Sequence, residues 1–518
     1  MISLTISKVS GSLAMLCVYV WSKGKDVFYH QSAHVALNSI ANFQEYSTME
    51  LRLVFAFCFA LLISSFSFAE NSSDLSGSFS LDNGMKVIVV HDDQSPVIAL
   101  AIFYRAGSID EVNGVTGIAH ACEHMMFRGT TTYPGQQFIN KLKMIGALYN
   151  AGTDRDLTVY YEKVNHSDLG YVLSLEADRM RNAILSKDDF DRERQIVIEE
   201  RRLRLEDNPK ALLDVQLNAT AFVTSPYHNP VIGWRADLYE MTIDDIRQWY
   251  STWYAPNNSI LVLVGDITLQ DARALVSSYF SGIKHTELPV RRSRPEIQQS
   301  GARYFVLDLP TTFHMMSMAW VVPVWTVGVP VTDPVALQVL GYILGGYPGA
   351  RLNTLLIKKK KLLESLSVDY VPIGRGPGLF KISLVAKEGS QMALIRKLVL
   401  SVIRDIQTNG PTDKEISSAK RSLYAEYVFD QDSLSNRAFD IGYFAISGRD
   451  LAARDEFYNS FQNVKKEDVQ RLAVKFFKRS LMVCGELRPS MNPDLVKQNN
   501  VDTKGELPTN FSETVAST

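Results

Sequence analysis

The stretch "HACEHMMFRGT", residues 120–130, holds two histidines four positions apart with a glutamate just before the second. Its surroundings, "GIAHACEHMMF" at residues 117–127, have a helical pattern, and residues four apart share one helix face. Two imidazoles at this spacing can hold a zinc ion. Glu123 lies three residues from His120 and next to His124. It can lean over a metal without binding it and act as a general base toward water. Cys122 lies about 200° round the helix from His120, at ~100° per residue, and reads as a small packing residue. The rival reading is two ordinary histidines that happen to be close, because a motif is only a hypothesis until its context is found.

Two histidines leave a zinc site unfinished. Catalytic zinc commonly takes a third protein ligand and keeps one position for water. A second helix with inward-facing acids is therefore required, and "DDFDRERQIVIEERRLRLEDNP", residues 188–209, fits. Glu193 and Glu200 are seven apart and fall on nearly one line of a helix. Ile196 and Val197 lie between them on that side, and carboxylates beside apolar groups are costly unless a cation or donor compensates them. Glu199 and Glu206 compete for the role, although Glu199 is rotated off the stripe and reads more simply as a solvated charge.

The chain that must position these groups has 518 residues, 46% hydrophobic and 21% charged, which is globular composition with room for two or more domains. A net charge of -2 argues against a nucleic-acid-binding surface. Four cysteines in so long a chain make no disulfide scaffold. "MELRLVFAFCFALLISSFSFAE", from Met49, has a short basic start at Arg52, an apolar run from Leu53 to Ile63 and a small-residue end. It reads as a signal peptide over residues 49–69, cleaved after Ala69. The apolar run is shorter than the roughly 20 residues of a spanning helix, so no stable membrane span is expected after cleavage. Residues 1–48 are then an extension of uncertain standing, or the start lies too far upstream. The expected destination is outside the cytoplasm, the periplasm first, with secretion or anchoring by the uncleaved segment as alternatives.

An internal echo gives the architecture. "DDIRQWYSTWYAPNNSILVLVGDI" starts at Asp244, and "EDVQRLAVKFFKRSLMVCGEL" starts 223 positions later at Glu467. Both are an amphipathic helix ending in two aromatics, then an apolar strand ending at Gly and an acid, which suggests a duplicated domain. "KVIVVHDDQSPVIALAIFYRAG" and "RYFVLDLPTTFHMMSMAWVVP" each read as two strands with a turn between them. The expected organisation is two α+β domains, 75–284 and 302–488, joined by a polar linker at 285–301 and followed by a loose tail at 489–518.

With the motif His120-x-x-Glu123-His124, the text "YRAGSIDEVNGVTGIAHACEHMMFRGTTTYPGQQF", "GALYNAGTDRDLTVYY" and "DDFDRERQIVIEE" resembles the family of pitrilysin, insulin-degrading enzyme and mitochondrial processing peptidase. The resemblance covers nearly all of residues 75–490, more closely in the first half, and is nearest to a compact bacterial relative of the processing peptidases. It implies two duplicated domains, each a mixed or antiparallel sheet with helices packed on it, enclosing a chamber for extended or unfolded peptides. It assigns zinc, one per chain, to His120, His124 and Glu200, the last standing 76 positions after His124. Glu123 becomes the base, and Glu193 a supporting acid that orients a ligand. Substrate would add as a strand on a sheet edge supplied by "YNAGTDRDLTVYY", with Asn150 and Ala151 nearest the site; the plain alternative for Asn150 is a turn residue.

One departure stands out. Active relatives carry an Arg and a Tyr, seven apart, in the second half, where they help hold substrate and oxyanion. In "GGYPGARLNTLLIKKKKLLESLSVDY", residues 345–370, Arg351-Leu352 keeps the register and the pair falls on Ile357 and Glu364. Neither can do that work, since Ile has no donor and Glu repels an oxyanion; Lys358 or Tyr370 would have to act from shifted positions. Two expectations follow. The chain is the metal-bearing member of a pair whose partner supplies Arg and Tyr, or it is an inactive structural member of the same fold. Completeness of the metal site favours the enzyme. The run Lys358–Lys361 reads as a solvated helix face, "GRGPG" at 374–378 as a hairpin loop, and His314 as a structural residue without evident partners.

Overall fold

The computed structural model describes residues 75–490, apart from 293 and 327; the expected extension, signal peptide and most of the tail lie outside the described residues. Eleven strands are described, the central ones built from apolar runs rich in β-branched residues such as "KVIVVH" and "SILVLVG". In the first half these are β1 (Gly77–Ser80), β2 (Lys86–His91), β3 (Val97–Tyr104), β4 (Leu148–Thr153), β5 (Thr158–Asn165) and β6 (Ser259–Gly265). In the second they are β7 (Arg303–Leu309), β8 (Met315–Val322), β9 (Leu363–Asp369), β10 (Gly378–Ala386) and β11 (Val483–Pro489). Six helices bear on the site and the repeat: α1 (Ile118–Met125), α2 (Lys187–Arg201), α3 (Pro209–Ala221), α4 (Ile243–Trp253), α5 (Leu434–Ile446) and α6 (Lys466–Phe476).

The first sheet has the order β1-β2-β6-β3-β5-β4 and the second β7-β11-β8-β10-β9. Without β1 the two orders coincide, and each contains one parallel pair, β2 with β6 and β7 with β11. The fold class is thus a duplicated α+β architecture, and the echoed segments are α4 with β6 and α6 with β11. Within each half the first two long strands are not partners. Strand β6 pairs with both β2 and β3, and β11 with both β7 and β8, so the short turns join next-but-one neighbours. Periodicity reveals strands, but not which later strand inserts between them.

Strand β3 explains how the halves hold together. Ile98, Leu100 and Ile102 point into the main core, where they join α1 residues such as Cys122 and Met125. The alternate residues Ala99, Ala101 and Phe103 pack instead against Ala438, Ile441 and Ala445 of α5, which belongs to the second half. The reverse contact exists too: Leu213 of α3 packs on Met315 and Leu487, and Leu217 and Ala221 pack near Ala319 and Val483 of the second sheet. Each half therefore covers one face of the other's sheet. That is why β6, "SILVLVG", is buried along its whole length instead of alternating.

The segment 285–301 has neither helix nor strand among its described residues, yet it is tied down. Arg291 reaches Asp110 at 3.1 Å and Asn258 Oδ1 at 2.9 Å. The Glu296 carboxylate accepts from the backbone of Val223, Thr224 and Ser225 at 2.9, 3.1 and 3.0 Å. Among the described residues no helix is long and apolar enough to cross a membrane.

Candidate metal centre

The site begins with the seating of α1. Gly117, its N-cap, has φ +85°, and a Cβ there would stand 2.5 Å from the Ile232 carbonyl oxygen. Only glycine meets both conditions. Glu111 takes the free amides of the first turn, accepting from Gly117 N at 2.9 Å and Ala119 N at 3.1 Å. Burial pushes the Glu111 carboxyl up to about 8 against the opposing pull of those amides.

So seated, α1 presents His120 and His124 to α2. Glu200 Oε2 lies 3.7 Å from His120 Nε2 and 3.3 Å from His124 Nε2. One ligand atom from each of the three residues falls within 4.8 Å of the others. Glu200 Oε2 is buried without a hydrogen-bond partner, while Oε1 pairs with Arg204 at 2.9 Å. A buried carboxylate oxygen without a donor, facing two imidazole nitrogens, is an arrangement a cation would satisfy. Two nitrogens and one oxygen form a donor set that suits zinc. Contact with His124 holds the Glu200 carboxyl below its usual value despite burial. Burial, then the neighbouring His124, pushes the His120 imidazole down to about 4, so it stays neutral near pH 7 as a ligand must.

The groups behind the ligands are equally ordered. His124 Nδ1 lies 3.1 Å from Glu193 Oε2, and because a carboxylate only accepts, this contact places the proton on Nδ1 and frees Nε2. Glu193 is 3% exposed, and its other oxygen pairs with Arg128. The acids named as competitors are engaged elsewhere. Glu199 is exposed and bonded to Arg202 at 2.6 Å, and Glu206 pairs with Arg201 and Arg235.

Glu123 lies beside this cluster with its carboxyl raised by burial. Its Oε2 accepts from the Thr153 hydroxyl at 2.6 Å, which partly offsets that rise. Thr153 ends β4, the edge strand of the first sheet, on which Asn150 and Ala151 also lie. Asn150 Oδ1 accepts from the Ala151 amide at 2.9 Å. Edge strand, ligands and Glu123 line one cavity of about 940 Å³, whose described lining residues all fall between His120 and Ile232. A strand edge unpaired among the described residues, a buried carboxylate and a metal-type ligand set thus share one cleft.

The second-half positions lie elsewhere. Ile357 packs on the second core, and Glu364 is exposed on β9. Tyr370 donates to the Pro323 carbonyl oxygen at 2.5 Å, and Lys358 is exposed at the end of a helical segment. Arg351 is bound to Glu415 at 2.6 and 2.8 Å and to Asp405 at 2.7 Å. His314, read as partnerless, stands just before β8 and meets Glu486 of β11 at 2.9 Å, a pairing visible only once β8 and β11 are side by side. Three contributors were missed from sequence: Thr153, Arg128 and Arg204. All three lie inside the quoted stretches, but only the folded contact reveals their role.

Two family models match the chain: "Insulinase (Peptidase family M16)" over residues 86–234 and "Peptidase M16 inactive domain" over residues 240–423. The zinc protease PqqE of Helicobacter pylori is 28% identical over 80% of this chain and 92% of its own length. The beta subunit of the mitochondrial-processing peptidase of Lentinula edodes is 24% identical over 80% of this chain and 90% of its own. The crystal structure of a protease from Helicobacter pylori superposes with a TM-score of 0.75 at 28% identity, covering 80% of this chain and 99% of that one. The two models belong to one family and together span more than half of the chain, so the chain belongs to peptidase family M16.

Proposed function

We propose that this chain is a zinc-dependent endopeptidase acting on extended or unfolded peptides. The observation that carries the reading is the convergence of His120, His124 and Glu200, with ligand atoms within 4.8 Å, beside a buried Glu123. One zinc per chain would be held by these three residues. When bound, zinc supplies Lewis acidity that lowers the pKa of water and polarises a carbonyl.

The remaining steps belong to the protein. The outer edge of β4 takes an extended peptide by main-chain hydrogen bonds, at Asn150 and Ala151, and lays its carbonyl in the cleft. For Ala151 this means exchanging the Asn150 side chain for the peptide. Glu123 accepts the proton of the attacking water and returns it to the leaving amine. Thr153 holds Glu123 Oε2 and fixes its rotamer. Glu193 keeps His124 in the tautomer that offers Nε2.

The Arg and Tyr expected from the second half are replaced by Ile357 and Glu364, and the cavity lining contains no described second-half residue. The chain is therefore read as the metal-bearing member of a pair, with a related partner supplying those donors. Export to the periplasm belongs to the same reading and rests on residues 49–69.

The test measures bound zinc and cleavage of a quenched unstructured peptide, with and without a related chain that carries the Arg and Tyr. Near-stoichiometric zinc, cleavage stimulated by the partner, and loss in Glu123→Gln are expected. Zinc without cleavage in any pairing would turn the reading to a structural member of the fold.

A further inference from the structure

The loop joining β9 to β10 reaches out of the second half and grips the first. Arg375 in this loop makes a fork to Asp110, Nη1 to Oδ2 and Nη2 to Oδ1, both at 2.7 Å. Its Nη1 also donates to the Asp156 carbonyl oxygen at 3.0 Å, and its backbone amide to Asp156 Oδ2 at 2.8 Å. The Tyr227 hydroxyl donates to Asp156 Oδ1 at 2.5 Å and accepts from Gly376 N at 3.0 Å. The Arg375 and Asp110 side chains are only 8% and 4% exposed. Planar, bidentate and desolvated, this pairing has the geometry in which an arginine orders its neighbours most strongly.

What it orders is the tip of the β4–β5 hairpin. Asp156 lies in the turn between Thr153 and Thr158, and Thr153 carries the hydroxyl on Glu123. The turn is also held by Ser108 N on the Asp154 carbonyl oxygen at 3.3 Å and Ile109 N on that of Arg155 at 2.9 Å, from the segment that carries Asp110. A Cβ on Gly107 would stand 2.5–2.6 Å from this turn, so the contact is backbone on backbone. Tyr443 of α5 adds a 3.4 Å contact to Asp154 Oδ2. Arg155 lines the site cavity from this same turn.

We infer that Arg375 is a positioning residue for the metal cleft: it fixes the hairpin tip and, through it, the edge strand and the Thr153 hydroxyl on Glu123. The second half thus acts on the site through a buried loop arginine rather than through a group that touches substrate. The inference rests on the peptidase reading above only for its consequence in catalysis; the mechanical part stands separately.

The variant Arg375→Ala leaves Asp110 with Arg291 at 3.1 Å and Asp156 with Tyr227, so neither carboxylate loses every partner. The milder Arg375→Lys keeps a charge but not the fork. In the full chain, hydrogen exchange of amides 148–157 is expected to quicken about tenfold or more in Arg375→Ala, with the second sheet and zinc content unchanged. Peptide cleavage should show a raised KM and kcat lowered about 10- to 100-fold, with Arg375→Lys between the two. Unchanged hairpin exchange in a folded, zinc-replete variant overturns the inference. So does faster exchange with unaltered kcat and KM. A wild-type chain that binds zinc but cleaves nothing defeats the peptidase reading instead, and the exchange data then decide the latch alone.

Discussion

The Thr153 hydroxyl donates to Glu123 Oε2 at 2.6 Å, tying the last residue of the edge strand to the carboxylate between the two histidines of the motif. Strand and base are thereby set by one hydrogen bond. Burial raises the Glu123 carboxyl, and the Thr153 bond works against that rise. Thr153→Val keeps the side-chain shape and removes the donor. Glu123 must be ionised to accept a proton, so activity falls as pH drops through its pKa. Loss of a donor to the ionised form raises that pKa, and the acid limb of kcat/KM should move to higher pH. Near neutral pH, kcat should fall about tenfold, with zinc content unaltered. A limb that stays in place would mean that Thr153 does not tune Glu123.

Glu193 makes a separate prediction. It touches His124 Nδ1 at 3.1 Å, and its other oxygen is held by Arg128. Glu193→Gln retains an acceptor but loses the charge that orients the imidazole and pairs with Arg128. Zinc affinity should weaken about 10- to 100-fold, measured by competition with a chelator, while Glu199→Gln on the exposed face should change nothing. Equal effects of the two substitutions would show that Glu193 is only a helix charge.

These two residues also show what could be read from sequence. Glu193 was visible because helix geometry turns a seven-residue spacing into a shared face. The same geometry put His120 and His124 on one face and Glu200 in line with Glu193, whereas the choice of Glu200 as third ligand came from the family resemblance; the 223-residue echo suggested the duplicated fold. Thr153 was not singled out, because its partner lies 30 residues away on another element. Arg375 was hidden further still: "GRGPG" reads as a hairpin loop, and β9 and β10 are indeed paired around it, but its partner Asp110 is 265 residues distant. Local spacing encodes faces of single elements. Contacts between halves depend on how two sheets exchange helices, which no local pattern states.

Arg351 keeps the register of a substrate-binding segment, yet its guanidinium is spent on Glu415, at 2.6 and 2.8 Å. Burial raises the Glu415 carboxyl, but the Arg351 and Thr412 bonds outweigh it and hold it at about 2. A carboxyl depressed on folding contributes stability that is present above its unfolded pKa and is lost as pH falls through the folded value. Arg351→Met should therefore destabilise the chain by about 1–2 kcal/mol at pH 7. The difference from wild type should shrink between pH 4.5 and 2. Denaturant melts at several pH values test this. A changed KM with unchanged stability would restore Arg351 to a substrate role.

Gly442 sits where α5 crosses the first sheet, and a Cβ there would lie 2.1 Å from the Phe103 ring. Two effects compete when it becomes alanine. Helix propensity favours alanine by about 1 kcal/mol. Overpacking a full core costs typically 1–3 kcal/mol, and a 2.1 Å contact with a ring that is 0% exposed belongs at the upper end. Packing wins, so Gly442→Ala should destabilise the chain. The sign should reverse when room is made: in a Phe103→Leu background, which alone is destabilising, the same substitution should cost much less or become favourable. A double-mutant cycle reads this coupling directly. Independent, additive effects would mean that α5 does not rest on β3, and would remove the packing that joins the second half to the sheet bearing the site.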